Sequence, residues 1–265
     1  MKMKKTIAAV AGLLATTVAA SAADMAVKAR PIVVPAEVWS WTGFYIGGHV
    51  GAGWGTTEST LTNVNVGPPV NLNFPLSLPF SQNSRSGFLG GGQIGANWQS
   101  GWAVFGVQGD IAGLDVKGTA PCLVVLGCTT ESKWLASVTG RLGAVVADRG
   151  LIYVKGGAAW LNSDHRVTTP GFGPGAPVTT LTSANATTWG WTLGLGTEWM
   201  ITRNWTAFIE YNYYDFDKKN VAFPINTGGI PIAVTVNADL VNKLSVAKVG
   251  VNYKFDWGTP LVARY

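Results

Sequence analysis

The sequence has few charged residues and lacks long hydrophobic runs beyond its N-terminus. Charged residues make up only 12% of its 265 residues, about half the share found in soluble domains, while 47% are hydrophobic and the mean hydropathy is +0.22. Past the N-terminus, no apolar run approaches the roughly 18 residues that a membrane helix needs. Because lipid cannot satisfy exposed backbone groups, such a chain is expected to form a closed transmembrane β-barrel.

The N-terminus has the anatomy of a secretory signal peptide. A basic start at residues 1–5 is followed by an apolar stretch at 7–18 and by the small residues Ala20-Ser21-Ala22. We therefore predict a signal peptide over residues 1–22, cleaved just before Ala23 or Asp24. A periplasmic lead-in is expected at 23–41, the barrel at 42–257 and a C-terminal tail at 258–265.

Basic residues are not concentrated anywhere in the mature chain. The formal net charge is +5, but three of the lysines belong to the predicted signal peptide, and their removal leaves 16 basic against 14 acidic residues, or +2. No stripe of Lys and Arg with interleaved aromatics is present, which excludes nucleic acid as a partner.

Cysteine and histidine are scarce, with two residues of each. Cys122 and Cys128 are expected to form a disulfide, because a closely spaced pair in an exported chain meets an oxidising compartment. No further cysteine or histidine lies near them, so neither a metal site nor a cofactor is predicted. His49 falls on a strand and His165 on a long connection, and no Gly-x-Ser-x-Gly turn accompanies them. The sequence therefore does not predict an enzyme.

Alternation of polar and apolar residues recurs in eight stretches that are too short and glycine-rich for helices. They lie near residues 42–54, 87–99, 102–116, 133–147, 151–161, 188–200, 205–216 and 244–257. Short turns alternate with four long connections, at 55–86, 117–132, 162–187 and 217–243. Short periplasmic turns and long, mobile external loops are typical of outer-membrane barrels. We predict an all-β, antiparallel, up-and-down barrel of eight strands.

Within these stretches the charged residues share one face, predicted to be the lumen. The expected polar network comprises Asp110, Arg141, Lys155, Glu198, Glu210, Lys248 and Lys254. Asp110, on the adjacent strand, is the favoured partner of Arg141, with Glu198 or Glu210 reached across the barrel. An eight-stranded barrel is just wide enough for side chains to fill it, which favours a paired interior over a channel.

The 12 tryptophans cluster at the predicted strand ends, as expected for side chains at the headgroups of a membrane. One group should lie at the turn end and the other at the end with long connections. The first group is Trp39, Trp41, Trp98, Trp102, Trp199, Trp205 and Trp257, and the second is Trp54, Trp134, Trp160, Trp189 and Trp191.

Several motifs resemble the outer-membrane immunogenic protein family of alphaproteobacteria, small porin-like barrels similar in architecture to the membrane domain of OmpA. The most specific are the opening Trp-Thr-Gly-Phe-Tyr-Ile-Gly-Gly at 41–48 and the closing Val-Gly-Val-Asn-Tyr-Lys-Phe at 249–255. Others lie at 90–95, 106–110, 140–143 and 194–198. The resemblance implies an outer-membrane location and no known catalytic residues. Either Phe255 or Tyr265 serves as the insertion signal.

These features lead to a working hypothesis of a structural or surface-interaction protein. A narrow porin-like channel is the alternative, and a lipid-modifying enzyme is a third. The expected partners are outer-membrane lipids and lipopolysaccharide, the barrel-assembly machinery during insertion, and host or environmental ligands bound by the loops.

Overall fold

The chain forms one closed ring of antiparallel strands. A computed structural model describes residues 39–122, 126–169, 179–225 and 233–255. The strands are β1 (Gly43–Val66), β2 (Leu72–Ser100), β3 (Ala103–Cys122), β4 (Leu126–Val146), β5 (Gly150–Thr169), β6 (Thr179–Met200), β7 (Trp205–Ile225) and β8 (Val234–Phe255). Each strand pairs with the next, and β1 closes the ring on β8. The predicted eight-stranded barrel is confirmed. None of the described residues belongs to a helix long and apolar enough to cross a membrane.

The strands extend further at one end than the sequence predicted. At the end with short turns, the predicted and observed limits agree within two residues wherever the structure describes them. At the opposite end, called here the hairpin end, residues expected in long loops continue the strands. The connection predicted at 55–86 is reduced to 67–71, and those predicted at 117–132, 162–187 and 217–243 reduce to segments around 123–125, 170–178 and 226–232, which lie outside the described residues.

Proline and polar residues made these segments look like loops. Pro79 pairs with Thr60 and Pro75 with Asn63, next to the two register shifts of the β1–β2 hairpin. Proline has no N–H to donate to the neighbouring strand, and a strand tolerates this where its pairing is irregular. These prolines therefore do not end β2. The threonines around them are good strand formers, and cross-strand pairing continues to Val66 opposite Leu72.

Most tryptophans project outward near the two ends of the membrane-facing surface. Trp98, Trp102, Trp199 and Trp205 are exposed at the turn end, and Trp54, Trp189 and Trp191 towards the hairpin end. Between them the outward side chains are mostly apolar, among them Ile94, Val107 and Leu193, as expected for a lipid-facing band. Trp257 lies outside the described residues. The placement of Trp41 in this outer group is wrong, because its side chain is 1% exposed and packs inside the turn-end mouth of the barrel.

Inward glycines provide space for aromatic side chains on neighbouring strands. A Cβ on Gly196 of β6 would stand 2.6 Å from the Tyr153 ring of β5, and one on Gly250 of β8 would stand 2.6 Å from the Phe208 ring of β7. Gly95 is covered in the same way by the Tyr45 ring. These glycines therefore allow large rings to lie flat against the inside of the wall.

We expect Gly196→Ala to lower the free energy of unfolding by about 1 to 3 kcal/mol, because the added methyl group overpacks the Tyr153 ring. Gly140→Ala is the matched control, since a Cβ there meets nothing within 4 Å. Its effect should stay within about 0.5 kcal/mol. Urea unfolding of both variants in lipid vesicles measures the difference. Equal stability of the two variants would contradict the role assigned to the Tyr153 contact.

Candidate functional site

The lumen is filled by polar and apolar layers stacked along the barrel axis. A basal cluster closes the turn end, an ion-pair layer follows, and an apolar collar lies above it. The basal cluster is Trp41, Val104, Leu151, Tyr153 and Met200. The ion-pair layer is Asp110, Arg141, Lys155, Glu198, Glu210 and Lys248. The collar is Leu89, Ala112, Leu114, Val116, Leu135, Ala159, Leu161, Tyr214, Phe216, Leu244 and Val246.

Two further layers lie on the hairpin side of the collar. The upper polar layer consists of Thr57, Asn83, Arg85, Thr130, Ser132, Ser163, His165 and Asn242. The outer cluster is Leu61, Ala186, Val221, Phe223, Ala238 and Leu240. Apolar layers thus separate the polar ones from each other and from both ends of the barrel.

Four residues of the ion-pair layer form a square of alternating charge. Glu210 Oε1 lies 2.7 Å from Lys155 Nζ and 3.1 Å from Lys248 Nζ. The carboxylate of Asp110 lies 3.7 Å from each of the same two amines. Ser137 donates to Asp110 over 2.8 Å, and Asn212 donates to Glu210 over 2.7 Å. All four charges are buried and each has two opposite partners, which is the condition for tolerating charge in a confined interior.

Arg141 forms the second part of this layer. Its Nη2 lies 2.7 Å from Glu198 Oε2, and its Cζ lies 3.9 Å from the centre of the Tyr153 ring and 5.9 Å from that of Tyr45. The expectation that Asp110 is its partner is wrong. Asp110 stands opposite Ser137 on β4, four residues along the strand from Arg141. The strand register therefore keeps Asp110 and Arg141 apart, and the Arg141 side chain extends across the lumen to Glu198.

Glu198 also accepts hydrogen bonds from Thr206 over 2.5 Å and from Asn252 over 2.7 Å. Lys254, the seventh member of the predicted network, lies closer to the turn end, where its amine donates to the carbonyl of Ser40. His49 is a buried polar residue bonded through Nδ1 to Gln93. Within the ion-pair layer three acids balance three bases, so it carries no net charge.

Replacing Arg141 by Met should destabilise the barrel by about 3 to 5 kcal/mol, because Glu198 is left as a buried charge without its cation. The double variant Arg141→Met/Glu198→Gln should lose less than the sum of the single variants. Urea unfolding of the four proteins gives the coupling energy. Lys117→Gln is the control, because its ion pairs with Asp115 and Glu131 lie on the outer surface, with the lysine side chain 54% exposed, and should contribute little. Additive single effects would refute a direct Arg141–Glu198 interaction.

The upper polar layer begins one residue pair beyond Trp54, where the lipid-facing band ends. Burial lowers the pKa of Arg85 to about 10, so its guanidinium stays protonated at neutral pH. Burial lowers the pKa of His165 to about 4, an effect that Arg85 increases and Asp164 opposes. Thr130 Oγ1 lies 3.2 Å from His165 Nδ1. Arg85 was not predicted as an inward residue because it fell in a predicted loop, although the alternation of buried and exposed residues continues through it.

The disulfide links β3 to β4 next to the connection between them. The Cα atoms of Cys122 and Cys128 are 5.6 Å apart, and the bond connects the last residue of β3 with the third residue of β4. Both cysteines are therefore in strands rather than in the loop that the sequence predicted. No group of three or more His, Cys, Asp or Glu side chains suited to a metal ion occurs among the described residues.

Residues 8–255 match the model of the family described as outer membrane protein beta-barrel domain, and the chain belongs to that family. The protein is therefore an outer-membrane β-barrel, with its short turns in the periplasm and its hairpins outside the cell. It is also 30% identical, over 262 residues, to the 31 kDa outer-membrane immunogenic protein of Brucella melitensis, a match that covers 94% of this chain and 98% of the relative. The Brucella suis protein of the same name matches equally. The resemblance predicted from the motifs is confirmed.

Solved structures with a related arrangement include two from other bacteria. OprG of Pseudomonas aeruginosa is 11% identical, with a TM-score of 0.48, and the match covers 82% of this chain and 97% of OprG. Ail, the attachment invasion locus protein of Yersinia pestis, is 15% identical, with a TM-score of 0.34, and the match covers 78% of this chain and 99% of Ail.

Proposed function

We propose that this chain is a non-enzymatic outer-membrane protein whose closed barrel anchors four hairpins for contact with molecules outside the cell. The observation that carries the proposal is the apolar collar. Its eleven side chains are at most 8% exposed and come from six of the eight strands. Where β1 passes the collar it carries Gly53, and a Cβ there would already lie 3.4 Å from Val116.

The alternative, a narrow channel for small solutes, needs a polar path through the whole lumen. The ion-pair layer would suit such a path, but ions crossing the collar would lose their hydration without gaining polar partners. Tyr214 and Phe216 are stacked in the collar with their rings at an interplanar angle of 2° and are each 1% exposed. The collar therefore favours an anchor over a channel.

An enzymatic role has less support than either. A hydrolase needs a nucleophile and a base that substrate can reach. His49 and His165 are each only 5% exposed and belong to different layers of the lumen. The Thr130–His165 hydrogen bond is also inside the wall, so it is better explained as a structural contact.

The β1–β2 hairpin supports a role in surface contact. It extends from Trp54 to the turn at 67–71, well outside the lipid-facing band. Near its tip, Leu72, Phe74 and Leu78 are 46%, 48% and 53% exposed. Exposed apolar side chains grouped in this way mark interaction sites on soluble surfaces. We infer that this tip binds an apolar surface of a host or environmental partner.

The other proposed partners contact the barrel itself. Lipids and lipopolysaccharide surround it, and the assembly machinery acts during its insertion.

Bacteria that display the protein should bind phenyl-coated beads, and the triple variant Leu72→Thr/Phe74→Thr/Leu78→Thr should reduce this binding severalfold, because it removes apolar contact area at the tip. The substituted side chains lie on β2 beyond the lipid-facing band, so the heat-dependent gel migration of a folded barrel should persist. Lys133→Thr/Arg166→Thr, on the outward side of another hairpin, is the control and should retain binding. If the triple variant binds as well as the unaltered protein, the tip is not a contact surface.

A further inference from the structure

The upper polar layer contains a buried cation without an acidic partner. Arg85 is 3% exposed, and its Nε, Nη1 and Nη2 atoms make no hydrogen bond to any residue that the structure describes. The cations of the ion-pair layer differ in this respect, because Arg141, Lys155 and Lys248 each lie within 4 Å of at least one carboxylate. Arg85 therefore has the burial of those residues without their compensation.

The distribution of acids explains why no side chain compensates it. The buried carboxylates of the described barrel are Asp110, Glu198 and Glu210, all in the ion-pair layer on the far side of the collar. Glu131 and Asp164 are nearer along the axis, but both pair with Lys133 on the outer side of the wall. The low dielectric of the collar separates Arg85 from the first group, and the wall separates it from the second.

The residues next to Arg85 on the flanking strands are glycines, and a hydrogen-bond donor lies further round the wall. Arg85 pairs with Gly55 on β1, and Gly118 on β3 is so close that a Cβ there would lie 2.9 Å from the Arg85 Cβ. Continuing round the wall at this level, Gly118 pairs with Thr130 and Thr130 with His165. When Thr130 donates to Nδ1 of His165, the imidazole N–H is on Nε2, where it is available to another acceptor.

We propose that Arg85 holds a small monovalent anion of the size of chloride inside the extracellular half of the barrel, with His165 as a second donor. An unpaired guanidinium is costly in a confined site, and a bound anion supplies the negative charge that this layer lacks. A cavity of about 20 Å³ borders His165 and Thr130 but not Arg85. The charge to be balanced at Arg85 is a single positive one, so we expect a monovalent anion such as chloride rather than phosphate or sulfate.

Line broadening of the ³⁵Cl resonance tests the proposal on purified protein refolded in detergent micelles. The unaltered protein should broaden the chloride signal, and Arg85→Gln should weaken binding by about tenfold or more, because it removes the charged donors. Lys218→Gln is the control, since that amine is on the outer surface with its side chain 66% exposed. Equal broadening by the unaltered protein and Arg85→Gln would overturn the proposal, as would no broadening by either.

Unfolding in sodium chloride and in sodium gluconate at equal concentration provides a second readout. The unaltered protein should unfold at higher urea in chloride, because a ligand of the folded state stabilises it by mass action. Arg85→Gln should fold, since it removes a buried charge, and its midpoint should be the same in both salts. Bound chloride should also raise the pKa of His165 above about 4, because it neutralises Arg85, whose charge adds to the effect of burial. If both proteins respond equally to the two salts, the chloride effect is nonspecific and the site is not built as proposed.

Discussion

Closure of the strand ring is the constraint on which the interior depends. Once β1 pairs with β8, all eight strands have partners on both sides and the sheet has no open edge inside the lipid. The same closure fixes a lumen about as wide as the side chains that point into it. A wider barrel could hold water there. This one has to fill the space with side chains that satisfy each other.

The two kinds of layer solve this problem in different ways. Aromatic rings fill the space above inward glycines, as Tyr153 does over Gly196, and aliphatic side chains fill the collar. Charges are accepted where opposite partners meet, as in the contacts of Glu210 with Lys155 and Lys248. Tyr153 connects the two, because its hydroxyl donates to Glu210 while its ring lies under Arg141. These contacts make the barrel rigid, so the hairpins extend from a base that does not move.

Much of this arrangement could be predicted from the sequence. The alternation of side chains gives the strand count and the inward face, because a period of two is a local property of the chain. Outer-membrane location followed from composition, motifs and the placement of tryptophan. The charged positions on that face, such as Lys155 and Glu198, were identified for the same reason. These are the features that depend on one strand at a time.

Features that depend on several strands together could not be predicted. The partner of Arg141 is decided by the register between β3 and β4, which places Asp110 four residues away. Trp41 enters the mouth of the barrel because the segment before β1 turns inward, where the backbone N–H of Trp41 donates to Gln99 over 2.8 Å. The length of the β1–β2 hairpin was underestimated because Pro75 and Pro79 suggested a loop. Whether a proline ends a strand depends on where the irregular pairing lies, which the sequence does not show. Arg85 was missed with them.

The apolar collar is the central element of this account, because it distinguishes a closed anchor from a channel. Single-channel recording in a planar bilayer tests it most directly, on refolded protein whose insertion is verified by heat-dependent gel migration. The filled lumen predicts a current indistinguishable from that of the bare bilayer. Reproducible stepwise conductance from the inserted protein would contradict it and would show that ions pass the collar.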